Sequence, residues 1–279
     1  MRDYASLMQY RIVALLVLSA VAGFVIANGI GNSYALQDLA LVVLAIAVSG
    51  AGAELLNKVL EVDIDKKMER TKGRTSARGR INKAHGLAYG IILSAVGILL
   101  GYAINILTAA MVLLGIFFYI VVYTIWLKRR SRFSIIIGGL AGSFCVWAGV
   151  TAGAGTITFA GFVLGILVLF WIPGHIWSFA IKYRKDYIKA GVPMLTAVES
   201  RKTGTRVIAL FNILMAAFSV FLVLFLGIYY AMIIVIPLAL SLYMSLKTIM
   251  NSQAAWALFK FSSIYLTFAF IGVIVAGLL

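Results

Sequence analysis

Nine apolar runs, at 12–27, 34–53, 87–103, 108–127, 133–154, 158–178, 207–226, 229–246 and 258–279, constrain this chain more than any other feature. Each is close to the roughly 17–25 residues with which an α-helix crosses a hydrocarbon layer, and none alternates residue by residue as a membrane barrel strand would. Nine spans with short connections use up the 279 residues, so the expected fold is an all-α membrane protein, a nine-transmembrane-helix bundle forming one domain over 1–279. The composition agrees: 63% hydrophobic and 12% charged excludes an ordinary water-soluble domain, which runs roughly 45–50% apolar and about 25% charged. The first run follows a basic start and lacks a small-residue cleavage site, and reads as a retained helix rather than a signal peptide.

The 24 Lys and Arg outnumber 9 Asp and Glu, for a formal net charge of +15. In a soluble protein this would suggest nucleic acid; here the bases first report topology. Arg2 and Arg11 precede the first run, nine bases from Lys58 to Lys83 follow the second, and Lys128, Arg129, Arg130 and Arg132 follow the fourth. Seven from Lys182 to Arg206 follow the sixth, and Lys247 and Lys260 follow the eighth. If nine helices alternate, every base lies on one side, which the positive-inside rule names the cytoplasm, together with the N-terminus. The expectation is a multi-pass protein of the cell membrane with membrane lipid and no nucleic acid as partner. The lone Cys145 can form neither an internal disulfide nor a zinc cluster.

Topology accounts for the sign of the asymmetry but not its size. Two cytoplasmic stretches, about 54–85 and 179–206, crowd bases beside most of the acids. In the first, Asn57, Glu61 and Asp65 are four residues apart, so a helix stacks them along one face about 6 Å apart, while Asp63 points elsewhere. Two negative charges at that spacing repel by about 3 kcal/mol at an effective dielectric of 20, so the row requires a cation. One amide and two carboxylates suit a hard ion such as Mg²⁺, which is commonly shared with substrate phosphates. A basic stretch follows, with Arg70, Lys72, Arg74, Arg78 and Arg80, matching what a bound diphosphate would need; anionic lipid headgroups would explain the bases but not the stacked acids. A solvated helix end whose acids pair with Lys58, Lys66 and Arg70 is the plainer alternative. The second stretch is entered through Pro173, Gly174, His175 and Trp177 and carries Lys182, Arg184, Lys185, Asp186 and Tyr187. There His175 reads either as a hydrogen-bonded bundle residue or as a site residue, and Asp186 either as ion-paired or as a further metal ligand.

These residues together resemble the UbiA superfamily of intramembrane prenyltransferases, most closely its protoheme IX farnesyltransferase (heme O synthase) branch. Asn57, Glu61 and Asp65 match the spacing of the superfamily's first acidic motif, with Lys58 in place of the usual second-position acid. The stretch Asp63, Asp65, Met68, Arg70, Thr71, Arg74 is similar to the heme branch in particular, as are Tyr123, Trp126, Lys128 and Pro173-x-His175-x-Trp177 leading to Asp186-Tyr187. The chain departs from the pattern at Gln9-Tyr10, Thr75, Gly174 and Cys145–Trp147, and at Lys182…Asp186 only one acid of the superfamily's second pair is present.

The resemblance implies a Mg²⁺-dependent enzyme transferring a farnesyl group from farnesyl diphosphate to heme b. Asn57, Glu61, Asp65 and Asp186 would hold the metal, and Arg70, Lys72, Arg74, Lys128 and Lys182 the diphosphate. Tyr123, Trp126 and Tyr187 would face the substrates, and His175 would place the acceptor. Quinone precursors or an archaeal glycerol lipid are the alternative acceptors. An organic-anion transporter is the alternative of another class, disfavoured because transporters keep ionisable residues near the membrane midplane, whereas the charges here, Asp38 apart, lie toward the expected cytoplasmic ends.

Overall fold

The computed structural model describes residues 2–28 and 35–279, and every regular element among them is helical. The turn expected at 28–33 and residue 34 lie, from position 29 on, outside the described residues. A short α1 (Arg2–Ala5) leads into α2 (Tyr10–Asn28) and α3 (Leu36–Leu60), and a bend at Glu61 separates α3 from α4 (Val62–Lys67). There follow α5 (Lys83–Tyr102) and α6 (Ile106–Phe117), which continues as a ten-residue π-helix (Phe118–Leu127), then α7 (Ser134–Gly138), α8 (Leu140–Ala154) and α9 (Phe159–Lys182). The short α10 (Arg184–Ala190) and α11 (Leu195–Val198) precede α12 (Arg201–Met250) and α13 (Ala255–Leu278). Polar side chains start the helices: Asn82 accepts from the Ala84 and His85 amides, Asn105 from Thr108, Thr158 from Gly161 and Ser200 from Thr203, satisfying donors that have no partner within the helix.

The fifty residues of α12 would run about 75 Å if straight, more than twice a hydrocarbon layer of about 30 Å. They do not run straight. Gly227 has φ 68° and ψ −158°, a backbone region open essentially to glycine alone, and beyond it the chain folds back until the Tyr230 hydroxyl lies 3.2 Å from Ser219 Oγ. The runs expected at 207–226 and 229–246 are therefore the two arms of this hairpin. Eight helices among the described residues are long and apolar enough to cross a membrane, and α12 carries two of the nine runs read from sequence. Large apolar side chains such as Ile91, Leu99, Leu224 and Ile236 are more than half exposed around the bundle, a surface suited to lipid rather than water. The chain is a multi-pass membrane protein.

Where the bundle is tightest, helices touch through glycine. A Cβ at Gly149 of α8 would stand 1.9 Å from the Ala20 carbonyl oxygen of α2, and one at Gly23 would stand 2.2 Å from the Val146 carbonyl oxygen. Close backbone approach through small residues is how membrane helices associate without a hydrophobic driving force between them. Gly149→Val is expected to cost more than about 3 kcal/mol, beyond ordinary overpacking, because the obstructing atom is backbone. The check is thermal unfolding in detergent, with Gly115→Ala, whose new Cβ would sit 3.5 Å from its nearest neighbour, expected to melt close to the parent.

The loops sort by charge. Arg70 N donates to Asp186 Oδ2 (3.3 Å) and Lys189 pairs with Glu69 (3.1 Å), so the two long charged stretches meet at one end of the bundle, where Arg129, just past the π-helix, also pairs with Asp63 (2.6 Å). At the other end, base-free turns meet through Asn105 Nδ2, which donates to the Thr151 carbonyl (2.9 Å), and through the Thr108 and Thr151 hydroxyls (3.1 Å).

Candidate active site

A cavity of about 540 Å³ opens toward the charged end between α2, α3, the π-helix, α9 and α13. Its deep part is apolar, with Leu16, Ile46, Met111, Val112 and Ile116, and its mouth carries Glu54, Asn57, Lys58, Glu61, Asp65, Arg70, Arg74 and Lys128.

The polar row is set by α3 and α4. The bend at Glu61 does not break the register: Glu61 N donates to the Asn57 carbonyl (3.0 Å) and Asp65 N to the Glu61 carbonyl (2.8 Å). The four-residue spacing thus continues across the bend and brings Asn57, Glu61 and Asp65 to one cavity wall, each only 2–3% exposed. Asp63 faces outward and pairs with Arg129, whose guanidinium holds its carboxyl down at about 2.

Each buried acid of this row is met by a base of the chain itself. Asp65 takes Arg74 Nη1 on both oxygens at 2.9 Å, and Glu61 takes Lys128 Nζ at 2.5 Å. Lys58 Nζ donates to Asn57 Oδ1 (2.7 Å), and Asn57 Nδ2 donates to Thr124 Oγ1 (2.9 Å). One turn deeper, Glu54 accepts from Gln9 Nε2 (2.6 Å) and from the Tyr119 hydroxyl (2.7 Å), with Lys58 3.4 Å away. The sequence motifs give no role to Glu54 or Tyr119, and Gln9 enters the sequence pattern only as a departure from the family motif. The signal for Glu54 was present: it precedes Asn57 by three residues and Glu61 by seven, hence lies on the same helix face.

The π-helix decides which side chains reach the cavity from the opposite wall. An α-helix makes nearly two turns in seven residues, which would set Trp126 beneath Tyr119 and turn Lys128 away. A π-helix closes i→i+5, as Lys128 N does on the Tyr123 carbonyl (2.8 Å), and completes two turns in about nine residues. Tyr119, Tyr123 and Lys128 consequently share the cavity face, with the two phenol rings stacked at 6.1 Å and Lys128 Nζ 5.3 Å from the Tyr123 ring. The structure does not bring Trp126 there; it is 54% exposed on the outside of the bundle.

From the second charged stretch, Tyr187 lines the cavity, and burial pushes its hydroxyl up to about 12. Asp186 does not line it: its carboxylate receives the Arg70 amide at the loop junction. Lys72 pairs with Glu69 on the surface, and Lys182 lies over the Trp256 ring at 3.5 Å, so neither reaches the acid row. Arg70 does reach the cavity, its guanidinium over Phe179 (4.9 Å) and Tyr183 (5.4 Å). His175 lines the wall of α9, which stays helical through Pro173. Its ring lies 4.3 Å from both Trp171 and Phe259, and its Nδ1 is 2.7 Å from Ser262 Oγ.

A cavity with a cationic and acidic mouth over an apolar interior can hold an amphiphile's charged head at the water boundary while its chain lies in the bundle. That is the construction of an intramembrane enzyme acting on substrates with an anionic head and a hydrocarbon tail. The chain belongs to the UbiA prenyltransferase family, which matches residues 16–270, and it is a prenyltransferase. Its relatives include the protoheme IX farnesyltransferase of Sulfurisphaera tokodaii, 38% identical over 99% of this chain and 93% of the relative. Another, from Metallosphaera sedula, is 37% identical over 99% and 96%. Solved structures share the fold: digeranylgeranylglyceryl phosphate synthase (TM-score 0.80, 18% identity, 99% of this chain and 98% of that one). A UbiA homolog from Archaeoglobus fulgidus bound to DMAPP and Mg²⁺ superposes with TM-score 0.70 at 16% identity, covering 98% and 99% of the two chains.

Proposed function

We propose that this prenyltransferase moves a farnesyl group from farnesyl diphosphate to a vinyl group of protoheme IX, with the reaction at the cytoplasmic mouth of a single-domain bundle in the cell membrane. The observation that carries the acceptor is the near-full-length identity of 36–38% to several proteins named protoheme IX farnesyltransferase.

The residues fit Mg²⁺ in one particular way. Asn57, Glu61 and Asp65 offer oxygen donors on one wall, yet among the described residues no three acids, histidines or cysteines cluster closely enough to hold a metal by themselves. The remaining ligands would be phosphate oxygens and water, the usual habit of Mg²⁺. When bound, the ion would neutralise charge gathering on the departing diphosphate. Arg70, Arg74 and Lys128, freed from their present partners, turn their donors to the same charge. Asp186 acts on this site by fixing the Arg70 backbone. As the C1–O bond of the farnesyl donor breaks, the faces of Tyr119 and Tyr123 and the apolar lining shield the allylic cation from water. The farnesyl C1 bonds the terminal vinyl carbon; the cation left next to the porphyrin ring takes up water and loses a proton, giving a hydroxyethylfarnesyl side chain.

Magnesium and farnesyl diphosphate should therefore bind as a pair. Calorimetric titration of the detergent-purified protein is expected to show at least tenfold weaker diphosphate binding in EDTA, and weak Mg²⁺ binding without the diphosphate. Tight Mg²⁺ binding to the protein alone would contradict this arrangement.

A further inference from the structure

Four rings contributed by α9 and α13 form a continuous column beside the acid row. Trp171 stacks on His175 at 4.3 Å, His175 on Phe259 at 4.3 Å and Phe259 on Trp256 at 5.2 Å, with interplanar angles of 20°, 29° and 16°. Aromatic residues at helical spacing usually only pack. Two observations set this column apart. His175 and Phe259 line the cavity, so the column borders the reaction space. Its outer end carries two lysines over one indole: Lys182 Nζ lies 3.5 Å and Lys260 Nζ 5.4 Å from the Trp256 ring centre. Both lysines are exposed, and neither has a carboxylate within 4 Å among the described residues, whereas Lys58, Lys72, Lys128 and Lys189 nearby all do.

We infer that this column is the acceptor's docking site, built for a planar aromatic macrocycle with two carboxylates on one edge. The inference rests on the protoheme reading and deepens it. Such a molecule is itself amphipathic: its carboxylate edge must stay at the level of water, and its vinyl edge must enter the bundle to meet the prenyl group. Lys182 and Lys260 sit where the first requirement is met, and Phe259 and His175 where the second is. The same arrangement gives Lys182 a role apart from the diphosphate, which Arg74 and Lys128 face from the acid row, with Arg70 between the two sites over Phe179 and Tyr183. Because the rings cover one another's faces, they turn their edges to the cavity, where aromatic edges meet the face of a planar ligand in the T-shaped arrangement, and the ammonium groups supply charge-assisted hydrogen bonds to its carboxylates.

The test uses the full chain in detergent, titrated with protoheme and with protoheme dimethyl ester and followed by the Soret band. The parent is expected to bind the diacid at least tenfold more tightly than the diester. Lys182→Gln/Lys260→Gln, altering two exposed side chains, should bind both alike at the diester's affinity, while Trp256→Leu weakens both. Affinity for farnesyl diphosphate with Mg²⁺ should stay within twofold in the double variant. Full retention of the diacid preference by the double variant would overturn the inference and leave a column that merely packs. So would loss of farnesyl diphosphate affinity with unchanged protoheme binding, which would return Lys182 to the diphosphate. A parent that binds neither porphyrin would overturn the protoheme reading together with this site.

Discussion

Asp65→Asn is expected to lower prenyl transfer by about 10²–10³ in turnover, the scale on which loss of one group stabilising transition-state charge is usually felt. The amide keeps the volume and one oxygen but removes the negative charge that would draw Mg²⁺ to the row. The substitution also has a structural consequence. Asp65 is nearly buried and accepts Arg74 on both oxygens, so the guanidinium loses its counter-charge. Breaking a buried pair costs about 3–5 kcal/mol, and the figure here should be smaller because the Arg74 side chain is 25% exposed. Turnover and stability separate in the double variant Asp65→Asn/Arg74→Gln, which should recover part of the thermal midpoint and none of the activity. Activity that returned with stability would show the pair to be structural.

Lys128→Met is expected to reduce kcat by about 10²-fold with a smaller change in KM. In the structure Lys128 neutralises Glu61 and lies against the Tyr123 face. Once a diphosphate occupies the mouth, its ammonium meets charge that grows as the C1–O bond breaks, an interaction stronger in the transition state than in the ground state. Lys128→Arg keeps the charge on a longer, planar group and should restore part of kcat. Equal losses from Met and Arg would mean that the position is fixed by packing rather than by charge. Steady-state kinetics on the three proteins decides this.

How far these positions could be read from sequence depends on which helical period operates. The row Asn57, Glu61, Asp65 was legible because the α period persists through the bend, and the reversal at Gly227 because a glycine stands between two runs each long enough to cross. The opposite wall was not legible in the same way. Tyr123, Trp126 and Lys128 look equivalent as a motif, but the π-helical turn sends Lys128 and Tyr123 to the cavity and Trp126 to the outside. Nothing in the local composition marks that change of period. The placement of Lys182 and Asp186 depends on contacts across the fold: Trp256, seventy-four positions later, holds the first, and the Arg70 amide, far upstream, holds the second. Spacing within one segment does not encode such partners. Glu54 shows the converse, a residue whose helix face is legible from its spacing to Asn57 and Glu61 but whose partners, Gln9 and Tyr119, come from elsewhere in the fold and hold it inside the cavity.

The acceptor is the centre of the account, and one competition experiment tests it directly. Purified protein is incubated with farnesyl diphosphate, Mg²⁺ and equal concentrations of protoheme, a hydroxybenzoate quinone precursor and a glycerol phosphate lipid precursor, and the products are resolved by mass spectrometry. The expected product is protoheme increased by one farnesyl group and one hydroxyl, formed only with Mg²⁺ and at least tenfold in excess of any other prenylated species. Farnesyl carried by the quinone or glycerol precursor, with the porphyrin unchanged, would contradict the account.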